Sequence, residues 1–204
     1  MSLFNRKSES GSATATAVNP ELAALTGEYT IDPTHSSISF QVRHAMVTNV
    51  RGTFGKHEGT LSLDGSKPEN SSASIDVEIE SIDTGAPDRD GHLRSADFFD
   101  AETFPKMTFR STSAEQVGGD EYRITGDLTI KDVTKELTID LEFHGKATDP
   151  YGNERVGFEG GTTISRSDWG LTWNAALETG GVVVSDKVKL IFDISAIKNQ
   201  AQAA

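Results

Sequence analysis

The feature that most constrains the fold of this chain is an alternation of apolar and polar residues with a period of two. It runs through residues 38–42, 73–79, 137–143 and 188–194, where every second residue is aliphatic or aromatic and most others are polar. Successive side chains of a β-strand point to opposite faces of a sheet, so this alternation predicts half-buried strands. One wet face and one apolar face are typical of antiparallel sheets.

Short turn segments separate these runs, at residues 64–65, 118–120 and 149–153. Connections of this length join neighbouring antiparallel strands, which predicts an all-β meander of about eight strands. With almost no helix to cover it, the apolar face of such a sheet has to close into a barrel or pack in a sandwich. An eight-stranded barrel is attractive because it has room for one small ligand, whereas a sandwich fills its interior completely.

One segment interrupts the strands, with the sequence GAPDRDGHLRSADFFD at residues 85–100. It predicts a short helical insert, which Asp88 or Asp90 can cap at its start. Polar groups beside a large apolar anchor are common in binding sites, and the same insert can also serve as a lid over one end of the β-structure. Its candidate ligand-binding residues are His92, Arg94, Phe98 and Phe99.

Composition argues against several classes of function. The formal net charge is -12 without a visible cluster of Lys and Arg, which argues against binding to nucleic acid. The chain has no cysteine and its five histidines lack metal-ligand spacing, so we expect no disulfide, no metal and no cofactor. Since neither a signal peptide nor an 18-residue apolar run is visible, we expect a soluble, cytoplasmic protein without membrane insertion.

Three parts are expected along the chain. Residues 1–24 are rich in Ser, Ala, Thr and Asn and predict a disordered arm. Residues 25–197 carry the alternation and predict one β-barrel domain. Residues 198–204 predict a disordered tail.

Several polar residues fall where a ligand could meet them. Arg166 shares the inward parity of its strand, and a buried cation needs an anionic or strongly polar partner, which is Asp168, a neighbouring strand end or a polar group of a ligand. His35 lies in a turn and either satisfies loop carbonyls or contacts the ligand. His44 is expected at the mouth of the barrel.

Two tryptophans and two further histidines have simpler interpretations. Trp169 and Trp173 predict packing against the rim of the barrel, where they could also form an apolar wall for a ligand. His57 and His144 are predicted to point outward. The inward parity of the strands predicts a ligand-lined interior formed by Phe40, Val42, Ile75, Val77, Phe109, Ile139, Leu141, Phe158 and Ile164.

Four segments together, at residues 35–61, 92–111, 126–143 and 165–171, resemble the YceI-like family. The resemblance covers about residues 27–197. It implies an extended, lipocalin-like, eight-stranded antiparallel barrel that binds a long amphiphilic lipid, such as a polyisoprenoid or an isoprenoid quinone, in an elongated cavity. The family's motifs fall on His35, Ser36, Ser37, Ile38 and Phe40, on His92, Leu93, Ser95, Phe98 and Phe99, and on Arg166, Asp168 and Gly170. Many similar proteins are exported, whereas this chain shows no signal.

The resulting interpretation is a non-enzymatic protein that stores or transports an amphiphilic isoprenoid lipid. One alternative is an enzyme that acts on a small substrate through His35, His92 and Arg166. The other is an interaction module with a filled core. Ile191 is apolar among outward-facing residues and could be a contact in a homodimer.

Overall fold

A computed structural model describes residues 20–178 and 180–200. The predicted arm at 1–19 and the end of the predicted tail at 201–204 lie outside the described residues. The helices are α1 (Pro20–Ala23) and α2 (Pro87–Arg94), and the 3₁₀ turns are Pro68–Asn70, Ile79–Ser81 and Arg166–Trp169. The strands are β1 (Gly27–Ile31), β2 (Ser37–His44), β3 (Thr48–Phe54), β4 (His57–Leu63), β5 (Ser72–Glu78), β6 (Ile82–Asp83), β7 (Lys106–Gly118), β8 (Glu121–Ile130), β9 (Val133–Thr148), β10 (Glu154–Ser165) and β11 (Val184–Lys198).

These strands form a closed antiparallel barrel with eight strand positions. β1 and β2 follow one another along β11, with Ile31 opposite Ala196 and Ser37 opposite Asp193. β4 and β3 share the next position, and β5 and β6 share the one after it. The remaining positions are β7 to β11, which pair in sequence order. The predicted all-β, eight-stranded barrel with a short helical insert is confirmed, and the sandwich is wrong.

The barrel has two different ends. At the arm end, β1 begins, β11 stops, and the connections β4–β5, β7–β8 and β9–β10 reverse the chain. At the helix end lie α2, the β8–β9 turn and residues 166–183 between β10 and β11. The two ends are closed by different parts of the sequence.

The chain enters the barrel through α1, which packs on the arm end. Leu22 is partly buried against the core, and Leu25 is buried. A Cβ at Gly65 would lie 1.6 Å from the Leu22 carbonyl oxygen, so only glycine permits this approach. Residues on both sides of the predicted boundary, which lies between residues 24 and 25, therefore contact the barrel. β11 extends to Lys198, one residue into the predicted tail.

The start of α2 differs from the prediction. Its N-terminal cap is Ala86, which makes no side-chain hydrogen bond, so the proposed capping by Asp88 or Asp90 is wrong. Pro87 occupies the first turn, where its missing N–H removes no helical hydrogen bond. Asp90 is buried and accepts a hydrogen bond from the Thr84 N–H at 2.9 Å, which fastens the helix to the segment before it.

The end of α2 lies earlier than the phenylalanines that were expected on it. The helix stops at Arg94, and Phe98 and Phe99 lie in the turns that follow. These turns are held by backbone hydrogen bonds from Phe99 to Leu93 at 3.1 Å and from Ala101 to Arg94 at 2.8 Å. Both aromatic side chains consequently reach the barrel from a loop and not from a helix face.

A charged cluster on the outer face joins the strands that close the barrel. Asp32 follows β1 and binds Arg155 of β10 at 2.6 Å, and Arg155 binds Asp149 of the β9–β10 connection at 2.8 Å. Hydrogen bonds from the Thr34 side chain and from Arg155 hold the pKa of Asp32 well below its ordinary value. Hydrogen bonds from the Asn153 side chain and from Arg155 do the same for the pKa of Asp149.

Replacing Arg155 with Met should destabilise the protein, because two largely buried carboxylates then lose their cation. We expect the free energy of unfolding to fall by about 3 kcal/mol at pH 7. Urea titration measures the change. Arg123→Met is the matched control, since Arg123 also binds two carboxylates but has a side chain that is 43% exposed, and its loss should cost less than about 1 kcal/mol.

The lowered pKa values of Asp32 and Asp149 also predict how the stability lost in Arg155→Met depends on pH. Asp32 and Asp149 have lowered pKa values in the folded protein, so they contribute their full stabilisation above the ordinary carboxyl pKa and lose it as the pH falls through the folded values. The difference in stability between the wild type and Arg155→Met should narrow below about pH 4. A difference that is unchanged at pH 3 contradicts this assignment.

Candidate functional site

A cavity of about 150 Å³ lies inside the barrel. Its wall consists mainly of aliphatic and aromatic side chains on the inner faces of the strands. A dry cavity of this size with such a lining takes up a molecule as large as benzene. The interior is therefore an apolar binding site even before any side chain moves.

The cavity extends to the arm end of the barrel. Leu25 and Leu63 line it there, together with Gly65 and the β4–β5 connection. The lining becomes polar at this end, where it includes Asp64, Ser71, Ser72 and Arg123. A path from solvent to the cavity consequently runs past the α1 segment and the β4–β5 connection.

Most of the predicted interior residues lie on the inner face, but only some of them line the cavity. Those that do lie on β5, β7, β9 and β10. They are Ile75, Val77, Phe109, Ile139, Leu141 and Phe158.

Phe40, Val42 and Ile164 do not line the cavity, which corrects their assignment. Phe40 packs on Phe54 with ring centroids 5.7 Å apart, and Ile164 is buried opposite Val188. Phe40 and Val42 lie on β2, and Ile164 lies at the end of β10. The parity of a strand predicts which side chains point inward, but it does not predict where along the barrel the packing leaves a void.

An aromatic cluster borders the cavity between β8, β9 and β10. Tyr122, Phe143 and Phe158 all line it, with ring centroids 5.2 to 6.4 Å apart. All three side chains are half-buried, and burial, with a smaller contribution from Asp120, raises the pKa of the Tyr122 hydroxyl. Tyr122 and Phe143 were not predicted as site residues, although both are aromatic residues at inward positions of their strands.

The polar and aromatic residues of the insert form a separate cluster at the helix end. His92 lies between Phe98 and Trp173, with ring centroids 5.1 and 4.6 Å away, and its Nε2 is 2.8 Å from Asp97. This cluster does not line the cavity. It closes the helix end, which corrects the assignment of His92, Phe98 and Trp173 to the ligand site and favours the lid.

The neighbouring candidates also have structural contacts. Phe99 packs against Phe54 at 6.0 Å, and Arg94 donates to the Ile82 carbonyl at 2.8 Å. Trp169 is buried and donates from Nε1 to the Leu128 carbonyl at 3.0 Å, in agreement with packing at the rim. None of these three candidates lines the cavity.

Arg166 is buried, as its parity predicts, and it meets the start of the neighbouring strand β11 and not Asp168. Its guanidinium donates to the backbone carbonyls of Ser185 at 3.0 Å, of Val184 at 3.4 Å and of Leu171. Asp168 is exposed and lies 3.7 Å from Lys135 instead. Since Arg166 does not line the cavity, it holds the β10–β11 connection onto β11 and does not receive a ligand there.

His35 and His44 lie on the surface. Nδ1 of His35 is 2.8 Å from Asp32, so this ring belongs to the charged cluster on the outer face. His44 is exposed at the end of β2. Within residues 20–178 and 180–200, no hydrogen bond or ion pair joins any two of His35, His92 and Arg166, the three residues of the enzyme alternative.

His57 is the one histidine whose orientation was predicted wrongly. It is 8% exposed and lies on the same face of β4 as Leu61 and Leu63, both of which line the cavity. The even spacing of His57 from Leu61 and Leu63 in the sequence already predicts that all three side chains lie on one face of β4. His144 is exposed, as predicted.

Comparison with known proteins identifies the family of this chain. The model of the YceI-like domain matches residues 29–196. The chain belongs to the YceI-like family. A UPF0312 protein of Staphylococcus epidermidis is 41% identical over 170 residues, which are 83% of this chain and 95% of that protein. A UPF0312 protein of Azotobacter vinelandii is 34% identical over 177 residues, which are 86% of this chain and 89% of that protein.

Solved structures share the fold of this YceI-like chain. BcnA of Burkholderia cenocepacia has a TM-score of 0.72 at 26% identity and covers 81% of this chain and 98% of its own. A polyisoprenoid binding domain from Saccharophagus degradans, implicated in plant cell wall breakdown, has a TM-score of 0.64 at 18% identity and covers 84% of this chain and 98% of its own. The second likeness is one of fold alone. In the described part of the chain, every helix is too short or too polar to span a bilayer.

In this YceI-like chain, Arg166→Met should destabilise the empty protein, because it leaves three backbone carbonyls without their donor. We expect a loss of about 2 to 5 kcal/mol in the free energy of unfolding, measured by urea titration. Asp168→Asn is the control and should stay within about 0.5 kcal/mol, because its carboxylate is exposed. A larger loss for Asp168→Asn than for Arg166→Met would reverse the assignment.

Proposed function

We propose that this YceI-like chain binds the apolar chain of an amphiphilic isoprenoid lipid, such as a polyisoprenoid or an isoprenoid quinone, and stores or transports it without chemical change. The observation that carries this proposal is the apolar cavity inside a closed barrel, which reaches the surface at the arm end. The structural neighbour from Saccharophagus degradans, described as a polyisoprenoid binding domain, supports the ligand class.

The separation of the polar candidates favours binding over catalysis. An enzyme needs an acid, a base or an anion clamp within reach of one substrate. His35, His92 and Arg166 are each engaged by other partners, at the outer face, in the helix-end cluster and on backbone carbonyls. The lining of the cavity offers hydrophobic contact and little acid–base chemistry.

Hydrophobic burial is sufficient to drive such binding. Removing about 400 Å² of ligand surface from water gains roughly 10 kcal/mol, at about 25 cal/mol per Å². The loss of translational and rotational freedom and the ordering of the chain offset several kcal/mol of this gain. With a cost of about 4 kcal/mol, roughly 6 kcal/mol remains, which corresponds to a dissociation constant of tens of micromolar.

A long chain requires the cavity to enlarge. Pockets for ligands of drug size span about 300 to 1,000 Å³, more than the 150 Å³ of this conformation. The half-buried rings of Tyr122, Phe143 and Phe158 border the cavity and can change rotamer, and Met107 adapts its shape more readily than a branched side chain. We therefore place the required movement in these side chains while the strands of the barrel stay paired.

Blocking the cavity tests the proposal. Ala114 is a small lining residue near the arm end, and Ala114→Phe should fill the passage and weaken the binding of geranylgeraniol by at least about tenfold. Ala147→Phe is the matched control, because Ala147 is exposed on β9 and does not line the cavity. Titration of delipidated protein measures both affinities, and thermal unfolding verifies that each variant is folded.

Organic extraction of the purified protein followed by mass spectrometry identifies the lipid that co-purifies. Absence of any isoprenoid from the extract, together with no binding of geranylgeraniol to the delipidated wild type, would overturn the proposed function. Equal affinities of Ala114→Phe and Ala147→Phe would place the ligand outside the cavity.

A further inference from the structure

The inner face of the barrel carries one polar side chain whose hydrogen bonding is incomplete. His57 is more than nine-tenths buried, and its Nε2 has no hydrogen-bond partner among the described residues. Buried polar atoms are almost always paired, so an unpaired one on the inside of a binding protein indicates a missing partner. Arg166, by contrast, is fully engaged by backbone carbonyls.

His57 itself does not line the cavity in this conformation, but its neighbours in the sheet do. It is opposite Val77 in the β4–β5 pairing, and Val77 is opposite Met107 in the β5–β7 pairing. Phe54, whose carbonyl oxygen contacts the imidazole, precedes it in the chain. Val77, Met107 and Phe54 all line the cavity, so a chain that enlarges the cavity past these residues reaches the imidazole.

The contact with Phe54 determines which ring nitrogen carries the proton. Nδ1 lies 3.3 Å from the Phe54 carbonyl oxygen, which can only accept a hydrogen bond, so Nδ1 is the donor. In the neutral imidazole Nε2 is then an acceptor. For the neutral ring, the missing partner is therefore a hydrogen-bond donor.

Position along β4 gives the orientation of the ligand. His57 begins β4, and Leu63 ends it at the arm end, six residues away. At about 3.3 Å per residue, this separation is roughly 20 Å. A chain that enters at the arm end can therefore lie along the barrel with its polar end at His57.

We propose that His57 binds the hydroxyl group of the isoprenoid ligand, which donates a hydrogen bond to Nε2. The inference rests on the proposed function and specifies its ligand as an isoprenoid alcohol, phenol or quinol. A quinone, an ether or a phosphate ester in its ionised form offers only acceptors at this position and lacks the required donor.

Three ligands with one chain length test this assignment: geranylgeraniol, its methyl ether and the corresponding hydrocarbon. The delipidated wild type should bind the alcohol about tenfold more tightly than the ether, which is the effect expected of one buried hydrogen bond. His57→Leu should lose this preference while its affinity for the hydrocarbon stays within about twofold of the wild type. The matched control is His144→Leu, which removes an exposed imidazole from β9 and should keep the preference.

The outcomes separate this inference from the proposed function. Equal binding of alcohol and ether by the wild type, or a preference that survives in His57→Leu, overturns the role of His57 and leaves the lipid site standing. Failure of all three ligands to bind the wild type overturns the proposed function as well. If His57→Leu does not fold, His57→Gln is measured in its place. The glutamine keeps an acceptor near the Nε2 position, so this variant should retain part of the preference for the alcohol. A complete loss of that preference with intact hydrocarbon binding would contradict the hydrogen bond.

Discussion

The whole architecture depends on how β11 closes the ring. A barrel has no free edge only if its last strand satisfies the backbone groups of its first, and here β1 supplies just three residues, Tyr29 to Ile31, opposite Ala196 to Lys198. β2 continues the pairing beyond a break, opposite Asp193 and the residues before it. The strand position is therefore shared by two short strands whose gap has to be bridged.

Side chains bridge that gap. Ser36 Oγ donates to the Ser195 carbonyl at 3.1 Å and accepts from the Ser195 N–H at 3.0 Å, so a serine side chain replaces the missing strand residue. Asp32 donates from its backbone N–H to the same carbonyl at 2.8 Å and anchors Arg155 through its carboxylate. The histidine and serine of the first family motif, His35 and Ser36, are thus explained by closure of the barrel without any contact with a ligand.

The sequence predicts the barrel well and the site only in part, for one physical reason. Alternation reports which face a side chain occupies, and it correctly places Ile75, Ile139 and Phe158 inside. It contains no information on where the packing leaves a void, so it cannot distinguish Ile164, which is buried away from the cavity lining, from Leu141, which lines the cavity. The contact of Arg166 with the Leu171 carbonyl was also beyond reach, because a backbone carbonyl that approaches from a connection leaves no trace in the sequence.

Arg166 and His57 show how the same barrel treats two buried polar groups differently. Arg166 lies at the helix end, where its guanidinium donates to one carbonyl of the β10–β11 connection and to two at the start of β11. His57 begins β4, and its Nε2 has no hydrogen-bond partner among the described residues. Desolvating an acceptor without a partner costs free energy, whereas an apolar side chain of similar size would cost none. A polar atom in that position weakens the empty barrel, and a ligand that pairs with it recovers the loss upon binding. The unfilled hydrogen bond therefore contributes to selectivity for the ligand at the expense of stability in its absence.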